Sequence, residues 1–302
     1  MALLDRAIVR LLPAVPRPVV RRLSSRYIAG AELADAVRVV KQQNAAGKLG
    51  TIDVLGEETR DAAEARAIAD EYEDVLETIE RERIDANISL KPTALGLRIG
   101  RELCRENLEH VVTEAARFGN FVRIDMEDSS TTSETLTLYR ELRGAGFDNV
   151  GIVLQAYLRR TLDDVASLAD LKPNVRLCKG IYIESPEIQI KDYDAVRANF
   201  VALLDALLEA GSYVGIATHD AWLVEQARTR VAGLGRDAYE FQMLLGVRPE
   251  LGERIVTDSH RLRIYVPYGR QWYEYSLRRL QENPKIAGYV ATDTLARLLR
   301  RN

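Results

Sequence analysis

The chain has 302 residues, of which 47% are hydrophobic and 29% are charged. This composition is typical of a folded globular protein with a sizeable core and argues against extensive disorder. A net charge of −3, with both signs interspersed, gives no support to a nucleic-acid partner. The two cysteines lie far apart without metal-ligand spacing, which favours a reducing, cytoplasmic compartment.

The N-terminus is rich in arginine. Residues 1–30 contain six arginines and a single acidic residue, Asp5, interleaved with leucine, valine and proline. This pattern favours a basic helix docked on the domain, with a transit peptide or a helix at the inner face of the membrane as alternatives. No apolar run approaches the roughly 20 residues that span a bilayer. We expect an N-terminal helical extension over residues 1–48 and one domain over residues 49–302.

From residue 50 onward, short β-branched runs alternate with longer amphipathic stretches, as in βα units around a parallel sheet. The predicted strands are Thr51–Leu55, Asn87–Lys91, Phe121–Met126, Gly151–Ala156, Val175–Lys179, Tyr213–Thr218, Tyr239–Met243 and Leu262–Val266. Helical patterns between them include Glu58–Arg81, Ser133–Arg143, Asp194–Ala210 and Trp222–Val231. Eight repeats in about 250 residues predict a (β/α)8 barrel. A doubly wound sheet is the alternative, because periodicity does not reveal closure.

Several common site motifs are missing. No G-x-G-x-x-G follows a predicted strand, and P-loop, HExxH and GxSxG signatures are absent. The sequence therefore gives no support to a Rossmann dinucleotide site, a P-loop, a zinc-protease site or a serine-hydrolase site. The three histidines, at positions 110, 219 and 260, are too scattered to predict a metal site.

Polar residues recur where the predicted strands end. In a (β/α)8 barrel the active site is built at the carboxyl ends of the strands. The residues at these positions are Glu57, Lys91, Asp125, Gln155, Arg176, Lys179, Thr218, His219, Gln242 and Tyr265. Each residue taken singly has an ordinary structural explanation, but their joint position predicts one polar pocket.

The helix after the eighth strand carries Tyr275, Arg278 and Arg279. Their spacing of three and four residues places the three side chains on one helical face. This segment alone favours a solvated basic helix. Paired guanidinium groups also suit a small carboxylate, which they bind in a bidentate geometry.

Nine stretches stand in order along the chain at these strand ends and in the last helix. They are Leu55–Glu57, Ser89–Lys91, Asp125–Glu127, Gln155–Leu158, Arg176–Tyr182, Ala217–Asp220, Glu240–Leu244, Arg263–Pro267 and Tyr275–Arg279. Together they resemble the proline dehydrogenase family, both the stand-alone bacterial enzymes and the corresponding domain of the bifunctional proline utilisation protein. The resemblance covers about residues 50 to 283.

The resemblance implies a distorted barrel that binds FAD noncovalently and oxidises L-proline to Δ1-pyrroline-5-carboxylate, the first step of proline degradation to glutamate, with a membrane quinone as electron acceptor. The residues that would contact FAD are Met126, Gln155, Arg176, Lys179, Gly180, Ile181, Thr218 and His219. Those that would bind the proline carboxylate are Lys91, Arg278 and Arg279. The residues that would wall the ring pocket are Tyr265, Tyr275 and Leu244.

Two residues are assigned catalytic roles on this basis. Asp125 is expected to balance the cations that bind the carboxylate, because converging positive charges repel one another. Arg176 is expected to stabilise negative charge on the reduced flavin, and Lys179 to contact a flavin phosphate. Ile181 departs from the family pattern, which has a small residue there, and this puts the local flavin packing in doubt.

The resemblance also implies a gate. Glu57 would pair with Arg278 to close the site, and Glu282, one turn further along the helix, would hold the arginines. Arg279 would then be the fixed anchor for the substrate.

Other functions remain open at this point. A Schiff-base aldolase would use Lys91 or Lys179 as its reactive lysine. A noncatalytic flavoprotein would retain the cofactor site alone. Hydroxyproline is the alternative substrate, although Tyr265 would crowd a ring hydroxyl.

Overall fold

The computed structural model describes residues 26–56, 59–273 and 276. The strands are β1 Leu49–Val54, β2 Ala86–Leu90, β3 Val122–Ile124, β4 Val150–Gln155, β5 Asn174–Cys178, β6 Tyr213–Ala217, β7 Tyr239–Leu244 and β8 Leu262–Tyr268. The helices are α1 Leu33–Ala45, α2 Ala62–Glu82, α3 Arg101–Arg117, α4 Ser129–Gly144, α5 Thr161–Leu168, α6 Tyr193–Glu209, α7 Ala221–Val231 and α8 Pro249–Thr257. Each predicted strand overlaps one observed strand.

The eight strands form a closed parallel barrel in chain order. The closing pair is β1 with β8, which aligns Thr51 with Tyr265. Closure confirms the predicted (β/α)8 barrel and excludes the doubly wound sheet, which is an open sheet with two edge strands.

Helix α1 packs against β1 and β8 beneath the barrel wall. It buries Ala36, Val39 and Val40, so the described part of the N-terminal segment is attached to the barrel by apolar contact. The domain boundary after residue 48 stays a prediction, and residues 1–25 lie outside the described part. Among the described helices, none combines the length and the apolar character needed to cross a membrane.

The strands bury apolar side chains on their outer face and polar ones inside. Ile52, Ile88 and Ile124 belong to the large hydrophobic core, which fills the space between the sheet and the helices. Barrel interiors are usually filled by branched apolar side chains. Here the interior instead holds charged and amide side chains, including Asp53, Arg123, Arg176, Glu240, Gln242 and Arg263, all buried.

Two glycines make room for these large polar side chains. A Cβ at Gly215 would lie 2.4 Å from Gln242 Nε2, and one at Gly151 would lie 2.5 Å from Arg123 Nη1. Both distances are below any normal contact, so the polar interior depends on strands β4 and β6 having no side chain at these points.

Candidate active site

A cavity of about 650 Å³ opens at the carboxyl ends of the strands. Small-molecule and cofactor pockets usually enclose roughly 300–1,000 Å³. Thirteen residues that the sequence predicts for the site line it: Lys91, Asp125, Met126, Gln155, Arg176, Lys179, Gly180, Ile181, Thr218, His219, Gln242, Leu244 and Tyr265. The other five, Glu57, Tyr275, Arg278, Arg279 and Glu282, lie outside the described residues, so their placement stays a prediction.

Arg176 lies at the base of the cavity and is held from several strands. Its Nε donates to Gln242 Oε1 at 2.6 Å, and its Nη1 donates to Asp125 Oδ1 at 2.7 Å and to Ser89 Oγ at 3.1 Å. The Tyr265 ring lies 5.1 Å from the guanidinium carbon, and the Tyr265 hydroxyl donates to Asp125 Oδ2 at 3.0 Å. Because these partners come from β2, β7, β8 and the end of β3, the guanidinium has one defined orientation.

Lys91 forms a buried ion pair with Asp53. Its Nζ donates to both carboxylate oxygens of Asp53 at 2.9 Å, whereas Asp125 is paired with Arg176. Asp53 is therefore the described counterion of Lys91, and the assignment of Asp125 as the balance for the cations that bind the carboxylate stays a prediction. Asp53 aligns with Ser89 across the β1–β2 pair. The Lys91 side chain therefore extends from the end of β2 towards the amino end of the barrel to contact the Asp53 carboxylate. Burial raises the pKa of Asp53 to about 6, although Lys91 lowers it.

Gln155 presents an unsatisfied acceptor beside the cavity. Its Nε2 donates to the Met126 carbonyl at 3.1 Å, while its Oε1 is buried without a hydrogen-bond partner among the described residues. A buried polar atom without a partner costs about 1–3 kcal/mol. A ligand N–H that reached Oε1 would remove this cost.

His219 is held as a neutral imidazole with one defined tautomer. The backbone N–H of Leu244 donates to Nε2 at 2.8 Å, so the ring proton must lie on Nδ1. Burial, together with the positive charges of Lys179 and Arg248, lowers the pKa of His219 to about 4. The ring is therefore an uncharged N–H donor at neutral pH.

The outer end of the cavity carries a cluster of cations and aromatic rings around Asp220. Its carboxylate accepts from Arg197 Nε at 2.8 Å, from the Tyr193 hydroxyl at 2.7 Å and from Lys179 Nζ at 3.4 Å. Burial raises the pKa of Asp220, but the hydrogen bonds from Arg197 and Tyr193 outweigh this effect and hold it well below its ordinary range. The Arg197 guanidinium also lies over the rings of Tyr193 and Trp222. This end of the cavity is thus suited to a charged group next to a flat ring.

The connection from β5 to α6 forms one wall of the cavity. Gly180 has φ +101°, and a Cβ there would lie 1.9 Å from the Tyr157 ring. Glu184 fastens the same loop by accepting at 2.7 Å from both the N–H and the hydroxyl of Ser129. Ile181, where the resemblance implies a small residue, lines the cavity and is 40% exposed.

Several residues that line or support the cavity are not predicted from the sequence, notably Asp53, Arg197 and Trp222. Asp53 is a single acidic residue between Ile52 and Val54 in a predicted strand, and its neighbours gave no sign of a site. Arg197 and Trp222 lie on helices, where no local pattern distinguishes them from surface residues.

Comparison of the sequence with known proteins identifies the family of this chain. The sequence model of the family described as Proline dehydrogenase matches residues 36–292. A Bacillus subtilis protein called Proline dehydrogenase 1 is 37% identical over 267 residues, which is 88% of each chain. The chain belongs to the proline dehydrogenase family. Another member, from Deinococcus radiodurans, is 36% identical over 279 residues and 90% of each chain.

Solved structures of this family share the fold. Proline utilization A from Bdellovibrio bacteriovorus, inactivated by N-propargylglycine, superimposes with a TM-score of 0.82 at 24% identity. The superposition covers 90% of this chain but 36% of that longer protein. The proline dehydrogenase barrel described above therefore corresponds to about a third of its length.

Proposed function

We propose that this protein oxidises L-proline to Δ1-pyrroline-5-carboxylate with FAD as its cofactor, and that the electrons pass on to a membrane quinone. The observation that carries the proposal is the convergence, in a chain of this family, of the cations Lys91 and Arg176 with the ligand-directed groups of Gln155 and His219 in one cavity. Such convergence of polar groups in an apolar-walled pocket is typical of cofactor enzymes.

FAD fits the polar groups of this cavity. Gln155 Oε1 is an acceptor suited to a ring N–H, and His219 is suited to donate from Nδ1. At the outer end, Arg197 and Lys179 would hold the diphosphate, with Trp222 beside the adenine. Bound there, FAD supplies the acceptor for the hydride that leaves C5 of proline.

The substrate carboxylate would bind to Lys91 together with Arg278 and Arg279. Asp53 holds the Lys91 ammonium in place through both its oxygens, so this cation is oriented before the substrate arrives. Clamping the carboxylate at one end of a rigid ring fixes the position of C5 at the other, which lowers the barrier through orientation. Glu57 would close the site by pairing with Arg278.

The ring itself would lie between Tyr265, Tyr275 and Leu244. Hydride loss requires an unprotonated ring nitrogen, whose lone pair forms the new C=N bond. A pocket with several fixed cations disfavours the protonated amine. Arg176, held by Asp125 at 2.7 Å, would place a permanent positive charge where negative charge develops in the reaction.

The aldolase alternative fits the cavity less well. A Schiff-base lysine must be a neutral amine when it attacks a carbonyl. Lys91 forms a buried bidentate ion pair with Asp53, and Lys179 is paired with Asp220. Each ion pair holds its lysine in contact with a carboxylate rather than with a substrate carbonyl.

Anaerobic mixing with proline tests the proposal. We expect the purified protein to carry FAD absorbance and to lose its visible band on addition of L-proline, with the product trapped as the cyclic imine. Hydroxyproline should reduce the flavin with a lower kcat/KM because Tyr265 would crowd the ring hydroxyl. A colourless protein, or a flavin band unchanged by proline, would contradict the proposal.

A further inference from the structure

A line of hydrogen bonds runs from Arg176 down the interior of the barrel. Arg176 Nε donates to Gln242 Oε1 at 2.6 Å, and Gln242 Nε2 donates to Glu240 Oε1 at 2.7 Å. Arg263 Nε donates to the same Glu240 oxygen at 2.7 Å, and its Nη1 donates to the Gly50 carbonyl at 2.6 Å. All four side chains are buried, so these bonds are largely shielded from water.

Glu240 lies outside the candidate active site. Gln242 lines the cavity at the carboxyl ends of the strands, whereas Glu240 lines a separate cavity of about 300 Å³ at their amino ends. Any effect of Glu240 on the reaction must therefore pass through another side chain.

The amide of Gln242 has one favourable orientation because of its two neighbours. Arg176 can only donate and the Glu240 carboxylate can only accept. A flipped amide would set donor against donor at Arg176 and acceptor against acceptor at Glu240. The absence of a side chain at Gly215, where a Cβ would lie 2.4 Å from Gln242 Nε2, lets the amide fit between the strands in this orientation.

The charge of Glu240 also balances the arginines of the interior. Burial raises the pKa of Glu240, but the charge and hydrogen bond of Arg263 outweigh it and keep the pKa below its ordinary value. Glu240 is thus a carboxylate at neutral pH. Without it, Arg263 and the buried Arg123 would lose their shared counterion, since both lower this pKa through their charge.

We propose that Glu240 is a positioning residue for the reaction: it orients the amide of Gln242, which in turn holds the guanidinium of Arg176 at the base of the cavity. The inference rests on the proposed function, in which Arg176 faces the flavin.

Anaerobic stopped-flow reduction of the FAD-loaded protein by proline tests it in a double-mutant cycle. Glu240→Met removes the acceptor and should lower the limiting rate of flavin reduction about tenfold or more. The Kd of proline should change by less than about twofold, because the carboxylate clamp is untouched. In a Gln242→Leu background the same substitution should have no further effect, because the amide that transmits it is gone.

Two further variants separate positioning from folding. Glu240→Asp keeps the charge beside Arg263 but withdraws the carboxylate from Gln242, and it should show the same pattern with a smaller factor. If Glu240→Met does not fold, the rate of Glu240→Asp tests the proposal instead. Asp164→Asn is the control for folding. It removes a buried carboxylate on α5 that pairs with Arg160, and it should lower stability without changing the reduction rate.

Either of two results would overturn the inference: an unchanged rate in the FAD-loaded Glu240 variants, or an equal loss of rate with and without Gln242. Failure of proline to reduce the wild-type flavin would instead overturn the proposed function.

Discussion

The environment of His219 fixes its proton as well as its position. The Leu244 N–H occupies Nε2, and a proton added there would break this bond and create a charge in a largely buried place. Lys179 and Arg248 oppose the same charge. A histidine in a catalytic pocket is often an acid or a base, but this one is better suited to act as a constant hydrogen-bond donor.

This arrangement predicts how stability depends on pH. The folded-state pKa of about 4 lies below the ordinary 6.5, so the unfolded chain binds the proton more tightly between these values. The contribution of His219 is complete above pH 6.5 and is lost as the pH falls towards 4, by up to about 1.4 kcal/mol per pH unit. Urea unfolding measures this effect. The difference in the free energy of unfolding between wild type and His219→Gln should shrink as the pH falls from 6.5 to 4.

The exposed His110 provides the control for this measurement. Its side chain is 41% accessible and does not line the cavity, so His110→Gln controls for the loss of a histidine elsewhere in the chain. An NMR titration of His219 with a midpoint near 6.5 would show that the ring is not held as described.

At the scale of elements, the connection between β5 and α6 shapes the cavity most directly. Gly180 turns the chain out of β5 with a positive φ that other residues rarely adopt. The turn brings the backbone against the Tyr157 ring, and Glu184 then ties the loop to the start of α4. This wall of the cavity therefore depends on the positive φ of Gly180 and on the close approach of its backbone to the Tyr157 ring.

Gly180→Ala should disrupt this wall. The positive φ costs about 1–3 kcal/mol for an L-residue, and the clash with Tyr157 adds to it. We expect a lower urea midpoint together with weaker FAD retention on gel filtration. Gly233→Ala is the matched control, because Gly233 has φ +87° with nothing within 4 Å of a Cβ. It should lose stability through the backbone alone and keep its FAD, and equal behaviour of the two variants would contradict the role of the close approach.

How far the sequence predicts this site depends on the range of the contacts involved. Strand positions follow from local β-branched runs, and the residues at strand ends could be assigned because every parallel strand delivers its carboxyl end to the same face. The pairing of Lys91 with Asp53 could not be predicted, since it depends on the register of β1 against β2. The bonds of Arg176 to β2 and β7 cross the barrel, and local periodicity contains no information about closure.

At the scale of the whole molecule, the proposed electron acceptor requires access to a membrane. Among the described residues, no helix meets the length and hydropathy of a membrane span. Five of the six N-terminal arginines fall within residues 1–25, and cationic segments bind anionic lipid surfaces with about 1 kcal/mol per residue.

Removing residues 1–25 should therefore weaken binding to anionic vesicles. We expect the full chain to co-sediment with phosphatidylglycerol-containing liposomes and the truncated chain to stay in the supernatant, with equal rates of flavin reduction by proline. A full-length variant with the arginines at positions 6, 10, 17, 21 and 22 changed to glutamine separates charge from length. Equal sedimentation of all three proteins would remove the membrane role.

The β1–β8 pair has a consequence for biosynthesis. It joins residues 49–54 to residues 263–268, so the edge of β1 has no partner until the last strand has left the ribosome. At about 5–20 residues per second, the intervening chain takes roughly 10 to 40 s to synthesise. During that time the nascent protein exposes an open parallel edge beside half-covered apolar strands, which makes it a candidate for chaperone binding and aggregation.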